Sequence, residues 1–366
     1  MKGRKRVADG TRTDERNKLT AVDLFCGCGG LTVGLKKAGF RVLGAVDIDP
    51  LSVETYRANH NDVAVWEMDI RDLEPSELAA ALGLKNKRLD LLAGCPPCQG
   101  FSTMRTLNGA RVINDPRNDL LFEFQRFVEA LRPRAVMMEN VPGLADDERF
   151  AAFCRRMKKI GYLWENPRIL NAAEYGVPQR RRRLIYLAGH GMKIPFAKPA
   201  RRIKTVKDAI GGLPKAGKSG DPVHDMPEKR TPRIMELIRL IPKDGGSRTD
   251  LPEEYQLDCH RRCNGFKDVY GRMAWGDVAP TITSGCFNPS KGRFLHPEED
   301  RAITMREAAL LQGFPRRYKF PTADNKSGVA LMIGNALPPP FIKAHARQVA
   351  NKLYEANRHI GCRERR

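Results

Sequence analysis

The chain has 366 residues, enough for one large domain or two smaller ones around a sizeable core. Hydrophobic residues make up 41% of it, and no apolar run approaches the roughly 20 residues that span a bilayer, which argues against membrane-spanning helices. Lysine and arginine outnumber aspartate and glutamate by 64 to 43, and the resulting net charge of +21 favours a polyanionic partner such as nucleic acid.

The N-terminal residues 1–6 are basic, but no apolar segment follows them. We therefore expect no secretory signal and a cytoplasmic protein. Nine cysteines, an odd number, then predict reduced thiols. Cys95 with Cys98, and Cys259 with His260 and Cys263, could be read as metal ligands, and the first pair also as a redox couple. Neither group has a second knuckle at a familiar spacing, so no metal site is expected.

The first half of the chain alternates short β-rich apolar runs with helical patterns. Strands are predicted over residues 19–25, 41–47, 89–93, 135–138 and 183–188, with another short one before Asp69. Helices are predicted over residues 30–38, 50–59 and 118–131. This alternation predicts an α/β sheet that is largely parallel and covered on both faces.

The pattern changes after about residue 190. Prolines, glycines and basic residues are frequent up to about residue 274, which predicts a smaller, loop-rich region. Order returns over residues 300–312, where Thr304 and Glu307 have the spacing of a capping box. A final helix is predicted after the prolines at 338–340, with an apolar face formed by Ile342, Ala346, Val349 and Leu353. Two lobes around a cleft are expected.

A glycine-rich turn, Asp23-Leu-Phe-Cys-Gly-Cys-Gly-Gly30, follows the first strand. Such turns let the backbone approach a nucleotide, although a tight turn that binds nothing is the plain alternative. At the end of the second strand, Asp47 could accept ribose hydroxyls and Ile48 could pack on adenine, while Asp69 could accept the adenine amino group. The turn offers no pyrophosphate cradle, which favours an adenosyl ligand without phosphates.

Three further segments place reactive side chains beside predicted strands. Pro96-Pro-Cys-Gln99 carries Cys98, Met138-Glu-Asn-Val141 carries Glu139, and residues 177–183 end in four arginines. Each also has a plain structural explanation: Cys98 could be a packed core thiol, Glu139 a helix or loop cap, and the arginines a solvated basic face. Together they indicate an active site at one edge of the sheet.

In order, these segments resemble the motifs of the DNA (cytosine-5) methyltransferases of bacterial restriction–modification systems. The matching segments are Asp-Leu-Phe-x-Gly-x-Gly-Gly (23–30), Pro-Pro-Cys-Gln-x-Phe-Ser (96–102), Glu-Asn-Val (139–141), Gln-x-Arg-x-Arg (179–183), Arg-x-x-Thr-x-Arg-Glu-x-x-x-Leu-Gln-Gly-Phe-Pro (301–315) and Gly-Asn-Ala (334–336). The resemblance implies a Rossmann-like S-adenosylmethionine-dependent methyltransferase sheet with a smaller, loop-rich target-recognition domain. The catalytic domain would comprise residues 19–189 and 279–356, the recognition region 190–278, and basic tails 1–18 and 357–366.

The resemblance also implies the chemistry: methyl transfer to C5 of a cytosine that is flipped out of duplex DNA within a short recognition sequence. Cys98 would add to C6, Glu139 would hold or protonate N3, and Arg181 and Arg183 would contact O2 and a nearby phosphate. The S-adenosylmethionine contacts carry over to Phe25, Gly27, Gly29, Gly30, Leu31, Asp47, Ile48, Asp69, Leu120, Asn335 and Ala336. No role is implied for Cys26, Cys28 or Cys95.

The implied partners are double-stranded DNA and a cognate restriction endonuclease, for a monomeric enzyme near the nucleoid that protects host DNA. Three other functions fit parts of the pattern. A transfer-RNA methyltransferase should carry a distinctive short segment that is not found here. A non-catalytic regulatory subunit should lack Cys98 or Glu139, and a nucleotide-dependent oxidoreductase should have a different glycine turn.

Overall fold

The computed structural model describes residues 18–84, 87–97, 119–256, 268–321 and 324–363. Its strands are β1 (Thr20–Leu24), β2 (Arg41–Asp47), β3 (Ala64–Glu67), β4 (Leu91–Gly94), β5 (Ala135–Asn140), β6 (Tyr162–Trp164), β7 (Arg168–Asn171) and β8 (Arg182–His190). Its helices are α1 (Gly30–Lys37), α2 (Pro50–Asn59), α3 (Pro75–Ala81), α4 (Leu120–Leu131), α5 (Glu148–Lys159), α6 (Val206–Ile210), α7 (Pro232–Leu240), α8 (Met305–Leu311), α9 (Lys326–Asn335) and α10 (Pro339–Arg363).

The strands form one sheet in the order β3-β2-β1-β4-β5-β8-β6, with β7 also paired to β8. The first five strands in this order are parallel, which confirms the predicted α/β class. The strand predicted over residues 183–188 is confirmed as β8, but its antiparallel pairing with β5, β6 and β7 was not predicted. The chain runs outward from β1 through β2 and β3, then crosses back to β4 on the other side of β1. A crevice for ligands opens at the carboxyl ends of strands where the order reverses in this way.

Each face of the sheet is covered by its own hydrophobic core. On one face Leu31 and Leu35 of α1 pack with Ile342 and Ala346 of α10. The opposite face is covered by side chains from α3, α4 and α5. The predicted apolar face of α10 is confirmed, since Ile342, Ala346, Val349 and Leu353 are all fully buried. Covering both faces leaves the sheet edge at the strand ends as the place for a site.

The region after residue 190 contains more order than its composition predicts. Side chains of α6 share a hydrophobic cluster with α8 and α9, and also with Cys28 and Val33 beside the glycine turn. A smaller cluster joins α7 to Tyr270 and Leu295. The predicted capping box is present, because the Thr304 hydroxyl accepts the Glu307 N–H and the Glu307 carboxylate accepts the Thr304 N–H at the start of α8. Among the residues described, no helix is long and apolar enough to cross a membrane.

Candidate active site

The turn after β1 adopts a backbone that depends on its glycines. Phe25, Gly27 and Gly29 have positive φ angles of 61°, 51° and 94°. A Cβ on Gly29 would lie 2.6 Å from both His60 Nε2 and Tyr318 OH, so no larger residue fits without displacement. The Gly27 N–H donates to Asp47 Oδ2 at 2.7 Å and so joins this turn to the end of β2. The structure therefore assembles two of the predicted cofactor segments at neighbouring strand ends.

The C-terminal motif returns to the same turn. A Cβ on Gly30 would lie 2.4 Å from the backbone oxygen of Leu337 and 3.4 Å from the Ala336 side chain. Asn335 is exposed at the end of α9. Leu31, by contrast, is buried in the core against α10, so its side chain faces away from solvent and only its backbone is placed near the turn.

The remaining predicted adenosine contacts lie at the ends of β2 and β3 and at the start of α4. Ile48 is 62% exposed, an unusual position for a large apolar side chain next to a buried strand. Burial raises the pKa of Asp47 above its usual range. Asp69 accepts hydrogen bonds from the Arg71 backbone and side chain at 2.9 and 3.0 Å, which hold the pKa of Asp69 below its usual range. Leu120 is half-buried against the same core as Phe25.

A buried carboxyl lies directly under the turn. Asp23 is fully buried, and its Oδ2 accepts the Thr32 hydroxyl at 2.7 Å. Its Oδ1 has no hydrogen-bond partner among the described residues. Burial raises the pKa of Asp23 to about 7. Sequence reasoning gave this residue no role, although a carboxylate inside an apolar strand indicates either a buried hydrogen bond or a functional charge.

The part of the site where catalysis is predicted is built around Glu139, at the end of β5. Its side chain is only 2% exposed. Cys95 Sγ donates to Glu139 Oε2 at 3.0 Å, and Arg183 Nε lies 2.9 Å from Oε1 as an ion pair. Within the described part of the chain Oε1 nevertheless accepts no hydrogen bond. One carboxylate oxygen is therefore held, and the other keeps an acceptor position for a ligand.

Asn140 links this carboxylate to the segment that precedes Cys98. Its Nδ2 donates to the Pro96 carbonyl at 3.0 Å, while its Oδ1 accepts the Val141 N–H at 2.8 Å. Pro96 is thereby held beside β5. Cys98 itself lies outside the described residues, so its predicted role stays a prediction.

Arg181 is close to this carboxylate but is engaged elsewhere. Its side chain is buried, and its Nη atoms donate to the carbonyls of Ile282 at 3.1 Å and Gly334 at 3.0 Å. Burial and then the charge of Arg183 lower the pKa of Arg181 to about 9. The guanidinium thus joins the segment after residue 280 to the end of α9, while Arg183 is the arginine that meets Glu139.

Two glutamines that sequence reasoning left unassigned connect these segments. Gln179 Nε2 donates to Gln312 Oε1 at 2.5 Å, and Gln179 Oε1 accepts the Ile282 N–H at 2.9 Å. Gln312 in turn donates to the Ala336 carbonyl. Both side chains are fully buried, and buried amides are normally hydrogen-bonded. Because each glutamine lies inside one of the matched motifs, the sequence could have indicated that the two connect those motifs.

No cluster of three or more histidine, cysteine, aspartate or glutamate side chains that could hold a metal ion occurs in the described ranges. The group formed by Cys259, His260 and Cys263 lies outside those ranges.

Residues 19–351 match the model of the C-5 cytosine-specific DNA methylase family. Type II methylase M.HgiDII of Herpetosiphon aurantiacus is 37% identical over 348 residues, which cover 91% of this chain and 95% of that relative. Type II methyltransferase M1.HphI of Haemophilus parahaemolyticus is 34% identical, with 90% and 86% of the two chains covered. A solved structure described as a DNA modification methyltransferase from an E. coli prophage has the same fold, with a TM-score of 0.69 at 24% identity and coverage of 92% and 99%. The chain therefore belongs to the C-5 cytosine-specific DNA methylase family and is a DNA (cytosine-5)-methyltransferase.

Proposed function

We propose that this enzyme transfers a methyl group from S-adenosylmethionine to C5 of a cytosine that is flipped out of duplex DNA within a short recognition sequence. The observation that carries the proposal is Glu139, a buried carboxylate whose Oε2 is held by Cys95. Its Oε1 is ion-paired with Arg183 but accepts no hydrogen bond from the described residues, so an acceptor position remains. A flipped cytosine presents its amino group as a donor to such an acceptor, and N3 also becomes a donor once it is protonated. The segment that leads to Cys98 is fixed to the neighbouring residue of the same strand.

The cofactor residues fit an adenosyl ligand with a charged methionine part. Asp47 would accept the ribose hydroxyls, Ile48 would cover one adenine face, and Asp69 would accept the adenine amino group. Phe25, Leu120 and the backbone of Gly27, Gly29, Gly30 and Leu31 would line the rest of the site, with Asn335 and Ala336 at the methionine end. Asp23 supports this fit, since a buried carboxyl with an unsatisfied oxygen favours a positively charged neighbour.

S-adenosylmethionine supplies an electrophilic methyl group, and the protein must make the cytosine ring nucleophilic. The Cys98 thiolate adds to C6, and the electron pair released into the ring makes C5 the attacking atom. The Glu139 carboxylate holds a proton on N3, which neutralises the negative charge that develops there, and Arg183 stabilises the charge at O2. Arg181 holds the surrounding backbone in place. Loss of the C5 proton to a base then expels Cys98 and restores the ring.

Residues 190–278 are the proposed target-recognition region. The described part of this region exposes many basic side chains, which suit the phosphates of a duplex: Lys193, Lys198, Arg201, Lys204, Lys207, Lys215, Lys218, Lys229, Arg233 and Arg239. We place the enzyme in a type II restriction–modification system, since the relatives named above carry type II names. There a monomer would protect host DNA in the cytoplasm, at the site cut by a cognate endonuclease.

The direct test is incubation of the protein with methyl-labelled S-adenosylmethionine and plasmid DNA, followed by bisulfite sequencing. We expect 5-methylcytosine within one short sequence and no incorporation by the Cys98→Ser variant. Duplex DNA carrying 5-fluorocytosine should form a covalent complex, because fluorine at C5 cannot leave as a proton. Label transfer to transfer RNA but not to DNA, or normal activity in Cys98→Ser, would refute the proposal.

A further inference from the structure

Cys95 is held rigidly beside Glu139 by the packing of two strands. It follows β4 directly, and its N–H donates to the Leu24 carbonyl of β1 at 3.3 Å. A Cβ on the preceding Gly94 would lie 2.8 Å from the same Leu24 oxygen, so β1 and β4 approach each other closely here. The backbone of Cys95 is therefore fixed in place, and its thiol lies 3.0 Å from Glu139 Oε2.

The Glu139 carboxylate that Cys95 contacts is itself buried and incompletely hydrogen-bonded. Its side chain is 98% buried, given its 2% exposure, and its Oε1 accepts no hydrogen bond from the described residues. Burying a carboxylate oxygen without a hydrogen-bond donor lowers the stability of the folded state unless a ligand supplies that donor. Arg183 offsets the charge of the carboxylate but leaves this acceptor position open.

We propose that Cys95 is a positioning residue, whose thiol holds Oε2 of Glu139 and fixes the carboxylate plane so that Oε1 meets the target cytosine. This inference rests on the proposed function of Glu139. The thiol can act only as a donor here, because burial, with the negative charge of Glu139, raises the pKa of Cys95 well above its ordinary value. The two cysteines of Cys95-Pro-Pro-Cys98 thus have separate roles. Cys95 stays protonated and orients the Glu139 carboxylate, while Cys98 is the nucleophile.

The contact has a consequence for the pH dependence of the reaction. A donor to the ionised carboxylate favours that form over the protonated one. Removing the thiol should therefore move the acid limb of the rate profile toward higher pH. Arg183 faces the same carboxylate and Arg181 lies nearby, and both charges remain in a Cys95 variant.

The test compares Cys95→Ala, which removes the donor, with Cys95→Ser, which retains a hydroxyl donor. For the full-length enzyme on plasmid DNA, we expect Cys95→Ala to lower kcat about tenfold with little change in KM, the cost of one hydrogen bond to a charged group. Its acid limb should move up by as much as about one pH unit. Cys95→Ser should stay within about threefold of wild type. Cys154→Ala, which truncates another half-buried cysteine on α5, is the matched control and should change neither quantity.

A double-mutant cycle separates positioning from packing. Once Glu139→Gln has removed the carboxylate, adding Cys95→Ala should lower the residual rate less than about twofold. The inference is overturned if Cys95→Ser loses as much activity as Cys95→Ala, if the pH profile of Cys95→Ala is unchanged, or if Cys95→Ala has its full effect in the Glu139→Gln background. Each of these results would leave methylation by wild type intact. Absence of 5-methylcytosine with wild type would instead overturn the proposed function and this inference with it.

Discussion

The buried Arg272 offers a sharp test of how the α7 lobe, the small hydrophobic cluster that joins α7 to Tyr270 and Leu295, is held together. Its side chain has no exposed surface, and its guanidinium donates to one carboxylate and four carbonyls. The acceptors are Ile238 O at 2.8 Å, Ile241 O at 3.0 Å, His296 O at 3.0 Å, Glu299 O at 2.7 Å and Asp300 Oδ1 at 2.6 Å. One side chain thus connects α7 with the loop before α8.

We expect Arg272→Ala to lower the free energy of unfolding by about 3–5 kcal/mol. At about 1 kcal/mol net for each hydrogen bond, five bonds give about 5 kcal/mol, the top of this range. The loss should be smaller than that sum because Asp300 keeps Lys243 as a partner and water can reach some carbonyls. A loss of this size is a large share of the roughly 5–15 kcal/mol that stabilises a typical domain. The lobe built around α7 should therefore open before the sheet does.

The assay is urea unfolding followed by circular dichroism, together with limited proteolysis of the native protein. New cleavage should appear between residues 230 and 300, and DNA affinity should fall. S-adenosylmethionine affinity should persist, since none of these five contacts of Arg272 reaches the glycine turn. Arg233→Ala, which truncates an exposed arginine of the same lobe, should cost less than about 0.5 kcal/mol. A loss below about 1 kcal/mol for Arg272→Ala would refute the reasoning.

Three further predictions concern the site. Asn140→Ala should lower kcat about tenfold with unchanged S-adenosylmethionine affinity in calorimetry, because the segment before the nucleophile loses its anchor. Burial raises the pKa of Asp23 from 3.8 to about 7, so the folded state binds a proton that the unfolded chain releases, and stability falls as pH rises between those values. Asp23→Asn should flatten this fall in thermal unfolding measured across that range. Gly30→Ala, whose new Cβ would lie 2.4 Å from Leu337 O, should weaken S-adenosylmethionine binding at least about tenfold, whereas Gly212→Ala, with open space around it, should not.

Each of these has a clear contrary outcome. Wild-type turnover in the asparagine variant would mean that the anchor is dispensable. An unchanged pH dependence of stability after the aspartate substitution would show that this carboxyl is ionised in the folded state. Equal affinities of the two glycine variants would show that the returning C-terminal segment can move aside.

The local sequence was sufficient to predict much of the fold and the order in which the motifs of the site follow one another along the chain. Apolar periodicity predicted β2 and α2 with the bounds that the structure gives, because short-range patterns decide which face of a strand or helix is buried. It did not predict α7 within the basic region. It predicted β8 as a strand but not its antiparallel direction, since strand direction depends on partners distant in sequence. The resemblance to the methyltransferase motifs also predicted that Glu139 and the arginines near residue 180 belong to one site. They meet because β8 is antiparallel to β5, so that the start of β8 lies beside the end of β5.

Which atoms actually meet at that edge was decided only by the tertiary structure. The sequence predicted equal roles for two arginines, yet Arg183 meets Glu139 while Arg181 binds carbonyls 101 and 153 residues away. It predicted no role for Cys95, whose thiol reaches a carboxylate 44 residues further along. Hydrogen bonds form over about 3 Å and depend on direction, so they follow from how strands and loops pack and not from residue type or spacing. Residue identity therefore determined the chemistry that is available here, and packing determined which groups can use it.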